Sequence, residues 1–277
     1  MKPLAQWPLA ERRRVVGVLT DIDDTLTTDG AITPDALQAL RDLKAAGLAV
    51  IAITGRPVGW SEPFAQSWPV NAIVAENGAV ALINNAQIGL RRNEYKREAL
   101  SKIYLQDETT RQANMLRMHQ LAQRVLAEVP GACLAEDSSG RETDIAIDHS
   151  EFQHLSTAQI AQVCAILASG GMRATVSSIH INGWFGEHNK WEGARWVVQT
   201  LFGRALEAEL ERWVYIGDST NDQRMFEAMP QTVGVANIRR FAADLAFKPQ
   251  YLTENERGAG FAELAEAVLA ALRHTNT

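Results

Sequence analysis

The chain has 277 residues, 46% of them hydrophobic and 22% charged, with a formal net charge of -6. That is apolar material enough for one large domain or two smaller ones around a real core, and the acidic balance argues against the basic face that nucleic-acid binding needs. No apolar stretch approaches a membrane span, residues 1–14 lack the apolar run of a signal peptide, and Cys133 and Cys164 lack zinc-type CxxC spacing, so a cytoplasmic protein without membrane or nucleic-acid partners is expected.

The run Arg12, Arg13 and Arg14 reads as a solvated flank. VVGVL, 15–19, is a continuous apolar run rich in β-branched residues, as expected of a strand buried on both faces of a parallel sheet. Asp29-Gly30 is a turn signal compatible with a small hairpin flap. The spacing of Ala36, Leu37, Leu40 and Leu43 predicts a helix capped by Thr33, with Pro34 in its first turn and Gly47 at its end. LAVIAIT, 48–54, is a second buried strand, and a strand–helix–strand unit calls for a right-handed crossover.

The middle of the chain differs. Residues 114–129 predict a helix, and 143–148 alternate polar and apolar as a half-exposed antiparallel strand would. The helix beginning in TAQIAQVC ends at Gly170-Gly171, and 172–183 mix apolar and polar residues in strand fashion. Beyond this insert the strand–helix logic returns, with strands at 213–218 and 232–237, a helix after Asn221, and an amphipathic helix over 260–273. The prediction is a doubly wound parallel-sheet α/β core, residues 1–82 and 187–277, with an α+β domain inserted at 83–186.

Three polar clusters follow predicted strands: DIDDT, TGR at 54–56, and GDSTND at 217–222. In open α/β sheets the ligand crevice lies beyond the carboxyl ends of the strands, so one edge should collect all three. Side chains two apart on a strand point the same way, so Asp21 and Asp23 should face one site together. Neighbouring carboxylates repel unless a cation bridges them or one keeps a proton. With Asp218 and Asp222 added, a set of hard oxygen ligands without His or Cys suits Mg²⁺. Mg²⁺ in turn suits a phosphate substrate, which Thr54 and Lys190 could help to hold.

In their order and strand context, DIDDT, TGR, Lys190 and GDSTND resemble the four motifs of the haloacid dehalogenase (HAD) superfamily, over essentially the whole chain. The insert resembles the type-IIB cap, and AENGAV at 75–80, HNKWEGA and LTENERGAGFAEL are similar to segments of that group, which includes sugar-phosphate phosphatases. The resemblance implies an aspartyl-phosphate on Asp21, with Asp23 protonating the leaving alcohol and then deprotonating water, its backbone carbonyl touching the metal. It implies Asp218 as a metal ligand, Asp222 as a ligand or the partner of one, Thr54, Lys190 and Asn221 on the phosphate, and Gly55 admitting the phosphate close to the backbone. The family's usual motif has Gly where this chain has Asp24. Asp tolerates left-handed backbone, so the turn should survive with Asp24 pointing away from Asp21.

The insert should read the leaving group. Arg141, Glu142, Thr143 and Asp144 are candidates, and so are Ser177, Ser178, His180, Asn182 and Trp184, of which alternation would place Ser178, His180 and Asn182 on one face. Trp60 is expected to line the entrance or pack; Trp191 and Trp196 are expected in the core. A phosphatase acting on a small phosphorylated metabolite is the first reading. A phosphomutase is the second, since such caps present paired arginines to a distal phosphate and Arg141 and Arg173 are available. A non-catalytic binding module is the third.

Overall fold

The computed structural model describes residues 1–85 and 100–273. Its larger sheet has nine strands, in the order Lys2–Pro3, Tyr251–Leu252, Thr232–Gly234, Trp213–Gly217, Gly17–Thr20, Ala49–Ile53, Ala72–Ala75, Val80–Asn84 and Leu100–Tyr104. The first seven run parallel, and Val80–Asn84 is antiparallel to both of its neighbours, so that Leu100–Tyr104 runs with the seven. The central strands are apolar on both sides because helices cover both faces. Val18, Val50 and Val214 pack with Leu40, Leu43, Leu264 and Val268. Their strand neighbours Leu19, Ile51 and Tyr215 pack with Val197, Val198 and Met225 on the opposite face.

The helix Pro34–Ala45 begins as its sequence predicts, with the Thr33 side chain accepting from Ala36 N–H at 3.4 Å. Asp29-Gly30 turns a small hairpin between Thr27–Thr28 and Ala31–Ile32. Arg257–Arg273 closes the chain against Pro34–Ala45.

A second sheet of four antiparallel strands, Arg173–Val176, His180–Trp184, Ile145–Asp148 and Cys133–Leu134, lies within the insert. The helices Glu108–Glu128 and Thr157–Ser169 cover it through Met118, Val125, Ile147, Leu167 and Ile181. Within the expected 83–186 insert, the strand Leu100–Tyr104 belongs to the large sheet instead, and residues 86–99 lie outside the described residues.

Two expectations change. The alternation at 143–148 is real, but Ile145–Asp148 is buried throughout. Ile145 and Ile147 face the helices, while Asp144 and Asp148 are buried by polar partners instead of water. Residues 172–183 form two strands of a hairpin, folded at 177–179, where Ser177 N–H and Oγ both donate to His180 O. Trp60 packs on Phe64 at 4.5 Å between ring centroids, and Trp191 and Trp196 lie against the core, partly buried.

Two sequence motifs meet through glycine. Gly78, in the ENG turn, has φ +110, and a Cβ on Gly193 in the helix Lys190–Phe202 would lie 2.5 Å from Gly78 Cα. Backbone faces backbone, so neither side can yield. Gly193→Ala is expected to cost roughly 1–3 kcal/mol, as overpacking does. Urea unfolding should show a lower midpoint with an unchanged slope; an unshifted midpoint would show that the contact tolerates a methyl group.

Candidate active site

The strands Ala49–Ile53, Gly17–Thr20 and Trp213–Gly217 are parallel neighbours, so Thr54, Asp21 and Asp218 emerge on one edge. Lys190 reaches them from the first turn of its helix, whose amino end is held by Asn189 Oδ1 accepting from Trp191 and Glu192 N–H at 2.9 and 3.2 Å. The buried Lys190 ammonium donates to Asp21 Oδ1 at 2.5 Å, Asp222 Oδ1 at 2.7 Å and Asn221 Oδ1 at 3.3 Å. Burial alone would lower the Lys190 pKa, but Asp21 and Asp222 outweigh it and hold the amine above its usual range. Burial pushes the Asp21 carboxyl up to about 7, with Lys190 opposing and Asp222 adding to the rise.

Asp21, Asp218 and Asp222 each place an oxygen within 4.8 Å of the others. They differ in what remains free. Asp222 Oδ2 accepts from the Asp218 and Ser219 N–H groups at 2.9 and 3.1 Å, and its Oδ1 takes Lys190 and the Tyr215 hydroxyl. Gly217 makes this possible, since a Cβ there would lie 2.3 Å from Asp222 Oδ2. Asp218 Oδ2 accepts from Asn237 Nδ2 at 3.0 Å, but its Oδ1 is buried without a hydrogen-bond partner. An orphaned buried carboxylate oxygen beside Asp21 fits a hard divalent cation such as Mg²⁺. Asp21 and Asp218 have the oxygens to hold it; Asp222 spends both of its own on Lys190, Tyr215 and the loop.

Asp23 differs from the reading that put it on a strand with Asp21. The strand ends at Thr20 and the Asp23 carboxylate lies outside the three-carboxylate group, yet Asp21 and Asp23 line the same cavity, as expected. It accepts from Arg56 Nε at 2.9 Å and from Thr54 Oγ1 at 3.3 Å. Thr54 thus addresses Asp23, and its Oγ1 also accepts from Arg56 N–H at 3.0 Å. Asp24 has φ 55, the left-handed backbone its place in the motif requires, and pairs with Arg257 at 3.1 Å, away from Asp21.

Over these groups the tip of the 177–180 hairpin closes a cavity of about 10 Å³, room for a single water. From the cap, Ser178, His180 and Asn182 line it; from the core, Asp21, Gly55 and Asn221 do. A Cβ on Gly55 would sit 3.2 Å from Asn182 Oδ1, so its lack of a side chain admits the cap as well as the backbone. A groove of about 1270 Å³ around Arg173, Trp184 and Trp196 lies away from the carboxylates.

The expectation for Arg141 is corrected. It does not face the cavity: it donates to Asp144 at 2.8 Å, Asp137 at 3.0 Å and Gly55 O at 3.0 Å, pinning cap to core. Glu142 pairs with Lys102 at 2.8 Å, and the N–H groups of Glu142 and Thr143 donate to Glu76. Glu76, buried in the ENG turn with φ 51, also accepts from Val58 N–H at 3.1 Å. Sequence reasoning assigned no role to Glu76, Arg56, Asp137 or Glu151. The available signals were the acidic residue between two apolar strands in AENGAV and the arginine closing TGR.

Over residues 18–125 the chain matches the haloacid dehalogenase-like hydrolases. The fold and the motifs above, with an inserted cap, are similar to that class of hydrolase. A Streptococcus pyogenes protein provisionally named a phosphatase is 22% identical over 274 residues, covering 88% of this chain and 95% of the relative. The sucrose-phosphatase of Synechocystis sp., solved with sucrose and phosphate, aligns at a TM-score of 0.61 with 16% identity, over 95% of this chain and 98% of that one. A sugar phosphatase of HAD subclass IIB aligns at 0.60 with 15% identity, over 94% and 98%. Among the described residues no helix is long and apolar enough to cross a membrane.

Burial pushes the Asp144 carboxyl up to about 7, with Arg141 opposing and Glu76 adding to the rise. Because the folded state holds this proton more tightly than the unfolded chain, the stability it contributes is full below the ordinary carboxylate pKa of 3.8 and is lost as pH rises toward 7. The stability of the unmodified chain should therefore fall relative to Asp144→Asn across that window and run level with it at higher pH. Urea unfolding of both chains at several pH values measures this; a gap that does not move with pH would refute it.

Proposed function

We propose that this protein hydrolyses the phosphate monoester of a small metabolite, a sugar phosphate, through an aspartyl-phosphate on Asp21. The observation that carries this reading is the buried group of Asp21, Asp218 and Lys190 at the carboxyl edge of a parallel sheet, beneath a cap. Lys190 and Asn221 lie beside Asp21, where they would hold the phosphate dianion, with Gly55 bounding the pocket and the Thr54 hydroxyl on Asp23. Mg²⁺ bound by Asp21 and Asp218, with the Asp23 carbonyl as a further ligand, would offset the charge on the phosphate during in-line displacement.

Asp21 attacks phosphorus and the ester P–O bond breaks. The electron pair of that bond passes to the leaving oxygen, which takes a proton from Asp23. Water then gives a proton to Asp23 as its oxygen bonds phosphorus, and the bond to Asp21 breaks. A cavity with room for one water does not admit a phosphate ester, so cap and core must part for substrate to enter.

Hydroxyl, imidazole and amide groups on Ser178, His180 and Asn182 suit a polyhydroxylated leaving group, in keeping with the sugar phosphatases among the solved relatives. The phosphomutase reading needs paired arginines facing a distal phosphate. Arg141 is spent on Asp137 and Asp144, and Arg173 is half exposed and paired with Glu187. Both observations favour hydrolysis.

Phosphate release from a panel of phosphorylated sugars, glycerates and nucleotides tests the proposal. Turnover should concentrate on sugar phosphates, stop with chelator, and fall on the order of 10⁴-fold or more in Asp21→Asn, as loss of a nucleophile does. Release that survives both treatments, or no release from any member, would sink it.

A further inference from the structure

Arg56 stands where core meets cap, with 9% of its side chain exposed, and its guanidinium serves three carboxylates from the two domains. Nε donates to Asp23 of the core at 2.9 Å; one terminal nitrogen donates to Asp137 of the cap at 3.2 Å and the other to Glu151 of the cap at 2.9 Å. A guanidinium is a rigid planar fork, so fixing two of its edges fixes the third. Glu151 is itself restrained, lying 2.7 Å from His180 Nε2. Hydrogen bonds from His180 and Arg56 pull the Glu151 carboxyl down to about 2, so it stays a charged anchor.

We propose that Arg56 is a positioning residue that makes Asp23 competent in proton transfer only while the cap is seated, with Asp137 and Glu151 holding the guanidinium in register. This rests on the phosphatase reading given above. With the cap withdrawn, Arg56 loses two of its three carboxylates and regains rotamer freedom, and Asp23 loses its fixed direction. Proton transfer is then confined to the closed state, where bulk water is excluded. With its edges committed to carboxylates, Arg56 has no fork left to grip phosphate.

The chemistry separates positioning of Asp23 from damage to the phosphate site. An alkoxide leaving group needs a proton as the P–O bond breaks; p-nitrophenolate leaves without one. Hydrolysis of the aspartyl-phosphate requires Asp23 to accept a proton from water whichever alcohol has left. An enzyme whose Asp23 is mispositioned should therefore release one equivalent of p-nitrophenolate per chain at an undiminished rate and then stall.

The experiment is rapid-mixing kinetics with p-nitrophenyl phosphate and Mg²⁺, beside steady-state turnover of the best aliphatic sugar phosphate. The chains compared are the unmodified protein, Arg56→Ala, Arg56→Lys and the cap variant Asp137→Asn/Glu151→Gln. Both Arg56 variants should keep the first-equivalent rate while turnover of the aliphatic substrate falls about 100-fold, the lower range of general acid–base contributions, with KM little changed. The cap variant, which leaves Arg56 and Asp23 in place, should show the same pattern in part. A first-equivalent rate that falls in step with turnover would make Arg56 a phosphate ligand or a scaffold and overturn the proposal. So would full aliphatic turnover in Arg56→Ala, or a cap variant identical to the unmodified chain. An unmodified chain with neither burst nor turnover would overturn the phosphatase reading itself.

Discussion

The ammonium of Lys190 is the interaction on which the site depends. Three carboxylates buried within 4.8 Å of one another are not a stable arrangement, and one long cationic side chain entering from a helix start binds two of them directly. Its placement accounts for much of the surrounding structure. Asn189 fixes the helix start, Gly193 lets that helix approach the ENG turn, and Gly217 leaves room for Asp222 to hold both Lys190 and its own loop. Asp218 Oδ1 is the buried acceptor that this scheme leaves unpaired. That acceptor, beside the Asp21 carboxylate, is suited to a divalent cation.

The sheet core was legible in the sequence because its determinants are local. Continuous β-branched runs, a Thr cap with Pro behind it, and turn dipeptides specify strands and helix ends without reference to distant residues. The convergence of Asp21, Thr54 and Asp218 followed from parallel topology. The cap was less legible. Polar residues alternating along 143–148 normally mean solvent, and here Asp144 and Asp148 are buried against other polar groups. Arg141 and Asp144 read naturally as substrate contacts because nothing local shows that they bind each other and Gly55 O. A single residue can be placed on a face from its spacing, but whether that face meets water, ligand or another domain is a tertiary property.

Cap and core are joined by charge more than by apolar packing. Glu76 collects backbone N–H groups from both sides, and Arg56 and Arg141 lie among Asp23, Asp137, Asp144 and Glu151. Carboxylates outnumber guanidinium groups there, and burial raises the pKa of both Asp144 and Glu76. Buried charges and polar groups of this kind are costly to desolvate and costly to leave half-paired. The closed geometry of the interface is therefore specific, and it separates into groups that water can solvate well.

Asp148, on the second strand of the cap sheet by sequence, accepts hydrogen bonds from the backbone N–H groups of Ser150, Glu151, Phe152 and Gln153 at 2.9 to 3.1 Å. A loop held at four successive amides by one carboxylate has little play of its own. Glu151 is thereby geared to the cap sheet, and the hairpin over the cavity is part of that same sheet. Any angular displacement of the cap should register at Arg56 and at the cavity roof together, as one lever with two ends.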